Sequence, residues 1–302
     1  MDRSSETLDS IREINLSYIM LAQRMLREDK PVGMFRLGLS SELADLLAGL
    51  SLAQIVKLAA SDQLLCFFRF NDHAMLSALT QTTKHTAIAP THTAILLAGQ
   101  PAEQLCLTLE VTAMLKRSLT EDAQEVFRAI ALIELGARMQ VLESELTLSR
   151  DRMIRLYREV KGVSPPKGML PFSADWYMTW LANIHASLFY NTYLFLKNEA
   201  RCSHLDALTK GYRLYLEHCQ HSETEPVLDL TRAWTLVRFF DADILQLTRC
   251  CRCTGKFVAH KHDLQHNVVC GACQPPSRAG KTKKAAAARR EALDAAQVAQ
   301  AA

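Results

Sequence analysis

Residues 249–273 read Arg-Cys-Cys-Arg-Cys-Thr-Gly-Lys-Phe-Val-Ala-His-Lys-His-Asp-Leu-Gln-His-Asn-Val-Val-Cys-Gly-Ala-Cys, and this stretch holds five of the nine cysteines. Cys250, Cys253, Cys270 and Cys273 form C-x2-C-x16-C-x2-C, the spacing expected of a zinc site. Two residues between cysteines make a tight turn that aims both sulfurs at one point. Two such turns supply four thiolates for one tetrahedral Zn2+ per chain, at about 2.3 Å. Four sulfurs leave no open coordination position, so the expected metal is structural. An iron–sulfur cluster and four unrelated buried thiols are the competing readings. Cys251 stands at the wrong spacing from Cys253, which favours Cys250 as the ligand. His260, His262 and His266 lie between the turns, as replacement ligands or as part of a solvated loop.

Outward from this stretch, charge is divided unevenly. Residues 1–113 carry 9 Lys/Arg and 12 Asp/Glu, whereas residues 114–302 carry 26 and 20. A basic second half suits a polyanion partner. Arg249, Arg252, Lys256, Lys261 and Arg278 flank the cysteines, where a metal that pins two turns would present fixed charge to phosphates. With 49% apolar and 22% charged residues, the 302-residue chain reads as globular and as two domains. It has neither an apolar run of membrane-spanning length nor a secretory signal pattern, so no membrane association is expected and the cytoplasm is the expected compartment. That compartment keeps thiols reduced and argues against a disulfide scaffold. No Gly-rich phosphate loop, nucleophile elbow or H-x-E zinc-deaminase turn occurs, so an enzyme is not expected.

The pattern ahead of the cysteines is helical. Ile11, Ile14, Tyr18, Leu21 and Met25 share one helix face, which Asp29-Lys30-Pro31 should end. Leu43, Leu46, Leu47 and Leu50 form a second stripe, and Ser51 to Gln54 fits a capping box opening a third helix. Val126, Ile130, Ile133, Leu135, Met139 and Leu142 predict one long helix with Gly136 as its weak point. Ser149 is the expected N-cap of a helix to Val160, exposing Arg150, Arg152, Arg155 and Arg158. With residues 137–147 this suggests a helix-turn-helix, and residues 73–80 with 91–97 suggest a weaker one. A solvated amphipathic helix is the plainer reading of the arginines. Residues 176–196 read as a buried helix, and 204–219 and 226–248 as two more.

Several runs resemble a known pair of families. Ile14 to Tyr18, Leu21 to Arg24, Met34 to Gly38, Val56 to Ala59 and Cys66 to Phe70 are similar to the flagellar transcriptional regulator family FlhD. Gly136 to Arg138, Pro165 to Phe172, His185 to Ser187, Leu230 to Phe239 and Cys273 to Arg278 are similar to its partner family FlhC. The two families normally occur as separate chains. Here Met114-Leu115-Lys116-Arg117 resembles the start of an FlhC chain, and the apolar stretch ahead of it is unlike a designed linker.

The resemblance implies a DNA-binding activator of flagellar operons, built in the family from four FlhD and two FlhC chains, that recruits RNA polymerase. It implies zinc on Cys250, Cys253, Cys270 and Cys273. It also implies DNA-proximal positions at Thr83, Lys84, His92, Thr93 and Ile95, and an inter-subunit cystine at Cys66, for which a buried free thiol is the alternative. The expected partners are double-stranded promoter DNA, RNA polymerase and further copies of the chain; a one-to-one fusion gives a four-to-two ratio only with added free FlhD or with some FlhC halves unused. The expected fold is mainly α: two helical domains, the second ending in a zinc-ribbon-like four-cysteine module. The expected divisions are 1–105 (FlhD-like), 106–118 (junction), 119–248 (FlhC-like helical), 249–278 (four-cysteine zinc module) and 279–302 (a basic, Ala-rich, disordered tail). A zinc-containing protein–protein adaptor without specific DNA binding is the alternative function.

Overall fold

A computed structural model describes residues 3–66, 69, 89–99, 119–166, 168–262 and 268–276. Among these, eleven α-helices are followed by one two-stranded antiparallel sheet. The segment expected as a disordered tail lies outside the described residues.

The N-terminal part contains α1 (Arg3–Glu28), α2 (Lys30–Leu37), α3 (Ser41–Gly49) and α4 (Leu52–Ala59). The break at Asp29 is a junction between two helices. Asp29 takes an extended backbone and its carboxylate accepts the Val32 N–H at 3.2 Å, while Pro31 occupies the first turn of α2, where a missing N–H is harmless. The capping box at Ser51 and Gln54 forms in both directions. Polar side chains of α1 bind the chain that returns over it. Buried Asn15 donates to the Gln63 carbonyl and accepts from the Leu65 N–H, and Gln23 donates to the Leu50 carbonyl.

Helix α5 (Ala89–Ala98) leads to the larger part, made of α6 (Leu119–Glu134), α7 (Met139–Glu145), α8 (Arg150–Lys161), α9 (Trp180–Asn198), α10 (His204–His221) and α11 (Leu230–Asp241). The single helix expected across Gly136 is two. Gly136 has φ of +84°, and the bonds Gly136 N–H to Ile133 and Ala137 N–H to Leu132 close a Schellman turn that ends α6. The helix expected over 226–248 stops at Asp241, and its last residues enter strand β1 (Leu245–Arg249). Ser149 stands at the N-cap of α8 with an extended backbone, but its hydroxyl makes no capping bond.

Helix α9 is covered on every side, and almost the whole run Ile184–Leu196 is buried. It packs on α10, α5, α11 and strand β2 (Lys256–His260). A single large core therefore takes side chains from α5 through the last cysteine turn, including Ile95 and Leu96. Helix α2 also docks on α9: Phe35 meets Phe195 edge-on at 5.5 Å, and Arg36 pairs with Glu217 of α10 at 2.6 Å. Arg69 joins α2 to α5 by donating to the carbonyls of Arg36 and Leu97.

Candidate metal centre

Strands β1 and β2 pair from Leu245 with His260 to Arg249 with Lys256, so residues 250–255 are the hairpin loop and carry the first cysteine pair. Within that loop the Cys250 N–H binds the Gly255 carbonyl and the Thr254 N–H binds the Cys250 carbonyl. The Arg252 N–H points at Cys250 Sγ at 3.4 Å. The second turn repeats the pattern, with the Cys273 N–H at 3.4 Å from Cys270 Sγ. The Cys270 N–H reaches Cys250 Sγ at 3.3 Å and joins the two turns. Backbone donors aimed at sulfur suit thiolates, which are stronger acceptors than thiols.

Cys250, Cys253 and Cys270 are buried and Cys273 is half-buried. Cys253 and Cys270 sulfurs stand 3.7 Å apart. Hydrogen bonds from Cys250 first, then Cys270 and Cys273, hold the Cys253 thiol far below the ordinary thiol range. Cys270 is pushed up, first by Cys250 and then by Cys253 and Cys273. A cation that binds neighbouring cysteines as thiolates displaces their protons. The donor set is one that could hold a thiophilic metal ion.

Helix α9 holds this module in place. Asn183, Ser187 and Asn191 recur every fourth residue and so share one face of an otherwise apolar helix. Asn183 donates to the Val258 carbonyl at 2.7 Å, Ser187 Oγ accepts the Val258 N–H at 3.0 Å, and Asn191 donates to the Lys256 carbonyl at 2.9 Å. These three side chains satisfy the β2 backbone on the side away from β1. Trp180, at the start of α9, donates its indole N–H to the Gly271 carbonyl in the second cysteine turn at 2.8 Å.

The other expected site residues are dispersed. Arg249 and Arg252 are exposed, and Lys256 is half-buried. Arg249 and Lys256 sit directly opposite across the hairpin. Such a like-charge pair is unfavourable by itself. Lys261 is exposed and paired with Asp243. Arg150, Arg152, Arg155 and Arg158 project from α8 into solvent, with Arg150 on Glu143 at 2.7 Å. His260 meets Asp175 and is outside the sulfur cluster. Cys66 is half-buried with a free thiol. Thr83, Lys84, Arg278 and His266 lie outside the described residues.

Two expected DNA-proximal positions are buried in the structure. Ile95 has no exposed surface and His92 only 4%, because α5 packs on α9 and the His92 ring meets Phe257 of β2. Thr93, on the same helix, keeps partial exposure. The ligand atoms of His92, Cys253, Cys270 and Cys273 lie within 4.8 Å of one another, so His92 is a neighbour of the sulfur cluster. Nothing in the spacing of the sequence signals this, since 161 residues separate His92 from Cys253. The Asn183, Ser187, Asn191 face did carry a signal: a four-residue polar period inside an apolar helix.

Comparison with known proteins gives two family matches in this one chain. The model described as "Flagellar transcriptional activator (FlhC)" matches residues 114–286, and "Flagellar transcriptional activator (FlhD)" matches residues 1–103. A "Flagellar transcriptional regulator FlhC" of Paraburkholderia phymatum is 89% identical over 179 residues, covering 59% of this chain and 82% of that protein. Proteins of the same description from Paraburkholderia atlantica and Serratia marcescens are 63% and 54% identical, covering 59% and 57% of this chain and 82% and 89% of their own lengths.

Proposed function

Since the chain belongs to the FlhC family of flagellar transcriptional activators, with an FlhD match ahead of it in the same polypeptide, we propose that it is a DNA-binding activator of flagellar operons that recruits RNA polymerase. In this reading the protein works by binding, and no residue performs covalent chemistry. The supporting observation is the placement of Arg249, Arg252 and Lys256 on a hairpin whose loop holds the first half of the sulfur cluster. Zn2+ is the ion we assign to Cys250, Cys253, Cys270 and Cys273, one per chain. Its chemistry there is to cross-link two turns by four thiolates.

The hairpin then presents Arg249, Arg252 and Lys256 as a rigid cationic patch for phosphates. Thr93, Lys261 and the α8 arginines are secondary candidates, as are Thr83, Lys84 and Arg278. Activity at promoters places the protein in the cytoplasm. Among the described residues, no helix is long and apolar enough to cross a membrane. Cys66 is kept as the position of an inter-subunit cystine, which needs a second copy.

The adaptor reading draws support from Met169 and Phe172, which are 81% and 82% exposed on the loop before α9. A band-shift titration on a flagellar promoter against random duplex separates the two. The activator reading expects preference for the promoter and a steep loss of affinity with salt as counterions are released. Equal affinity for both duplexes at moderate salt, with metal bound, contradicts it.

A further inference from the structure

His92 belongs to the FlhD-matching segment, yet its ring is enclosed beside the cysteines of the FlhC-matching segment. It packs against Phe257 of β2, with ring centroids 6.2 Å apart. Its Nε2 is buried and has no hydrogen-bond partner among the described residues. A buried, unpartnered ring nitrogen carries a desolvation penalty that a nearby acceptor would remove.

The sulfur cluster supplies such an acceptor and needs a donor. Four thiolates around a divalent cation leave two net negative charges in a buried place, which N–H donors disperse. Backbone N–H groups serve Cys250 and Cys270. Among the described residues none serves Cys253 or Cys273. Cys253 Sγ is fully buried and within reach of His92. With Cys250, Cys253, Cys270 and Cys273 as the four ligands, the Nε2–H tautomer of His92 fills this gap.

We propose that His92 is an outer hydrogen-bond donor to the Cys253 thiolate, fastening helix α5 of the first segment to the metal centre of the second. Metal and docking are then coupled. The ion tightens the seat of α5, and α5 tightens the grip on the ion by the same factor. Gly255 agrees with close docking, since a Cβ there would come within 2.6 Å of the Leu96 side chain and 3.5 Å of Cys253 Sγ.

This inference rests on the proposed metal centre, and the test separates the two. Zinc affinity of the full chain is measured by chelator competition for the unaltered protein and for His92→Ala, His92→Phe and His92→Gln, each checked for helix content. Cobalt(II) is then substituted and its visible spectrum recorded. The Ala and Phe variants are expected to lose about tenfold or more in zinc affinity. Gln restores an N–H and should recover most of it, and all four proteins should keep a four-sulfur cobalt spectrum. Metal loading should slow amide exchange in residues 91–98 of the unaltered protein and not of His92→Phe.

Unchanged affinity in both Ala and Phe overturns the inference. So does Gln behaving like Ala, which would make the role steric, or a cobalt spectrum that loses a nitrogen ligand in His92→Ala. Absence of metal binding by the unaltered chain overturns the metal centre itself.

Discussion

Glu145 joins three helices through two contacts. Its carboxylate accepts the Trp234 indole N–H at 2.6 Å and lies 3.5 Å from His204 Nε2, whose Nδ1 meets the Tyr193 hydroxyl at 2.8 Å. The hydrogen bond with His204, followed by that from Trp234, holds the Glu145 carboxyl below the ordinary range. A lowered carboxylate stabilises the fold above its unfolded pKa of about 4.3, and that contribution is lost as pH falls through the folded value. Glu145→Ala should therefore cost about 2 kcal/mol in urea unfolding at pH 7, with the deficit shrinking towards pH 3. At Gly136 the positive φ is the controlling fact, and Gly136→Val should cost about 1–2 kcal/mol by the same assay. This glycine was visible in the sequence as a weak point of a helix. Its role as a stop depended on where the chain had to turn, which helix periodicity does not encode.

Among the elements, α9 and the hairpin show what the sequence could and could not disclose. The apolar run after Trp176 announced a buried helix, and the paired cysteines announced two convergent turns. The sequence of strand β1 continues a helical pattern, because Leu245 and Leu247 follow the apolar residues of α11 without a strong break; Asp243, at φ +61°, turns the chain instead. The pairing of β1 with β2 comes from tertiary contacts: β2 is held by Asn183, Ser187 and Asn191 and by Phe257 under α5. Asn191→Leu leaves the Lys256 carbonyl without its side-chain donor and should cost about 1–3 kcal/mol in denaturant unfolding. It should also speed zinc loss to a chelator. An unchanged stability would show that the hairpin needs no support from α9. The DNA-proximal assignment of His92 and Ile95 rests on the family resemblance, which carries no information on burial, and in this chain both are buried where α5 packs on α9.

At the scale of the whole molecule, the two family segments share one core, and the first segment keeps apolar surface uncovered. Ile14, Met20 and Leu21 on α1 and Leu52, Val56 and Leu58 on α4 are all exposed. Apolar surface of this kind marks an association face, so native mass measurement should give a dimer or larger assembly. Val56→Glu with Leu52→Glu should shift it towards monomer without loss of helix content. A monomer in the unaltered protein would contradict this. The central claim is that a metal-clamped hairpin is the DNA-reading part, and its most direct test follows a labelled flagellar-promoter duplex by fluorescence anisotropy. The metal-loaded full chain is compared with the same chain after chelation and after zinc is restored. The account predicts promoter-selective binding that falls steeply with salt, is lost with the metal and returns with zinc. Selective binding that survives complete removal of the metal would contradict it.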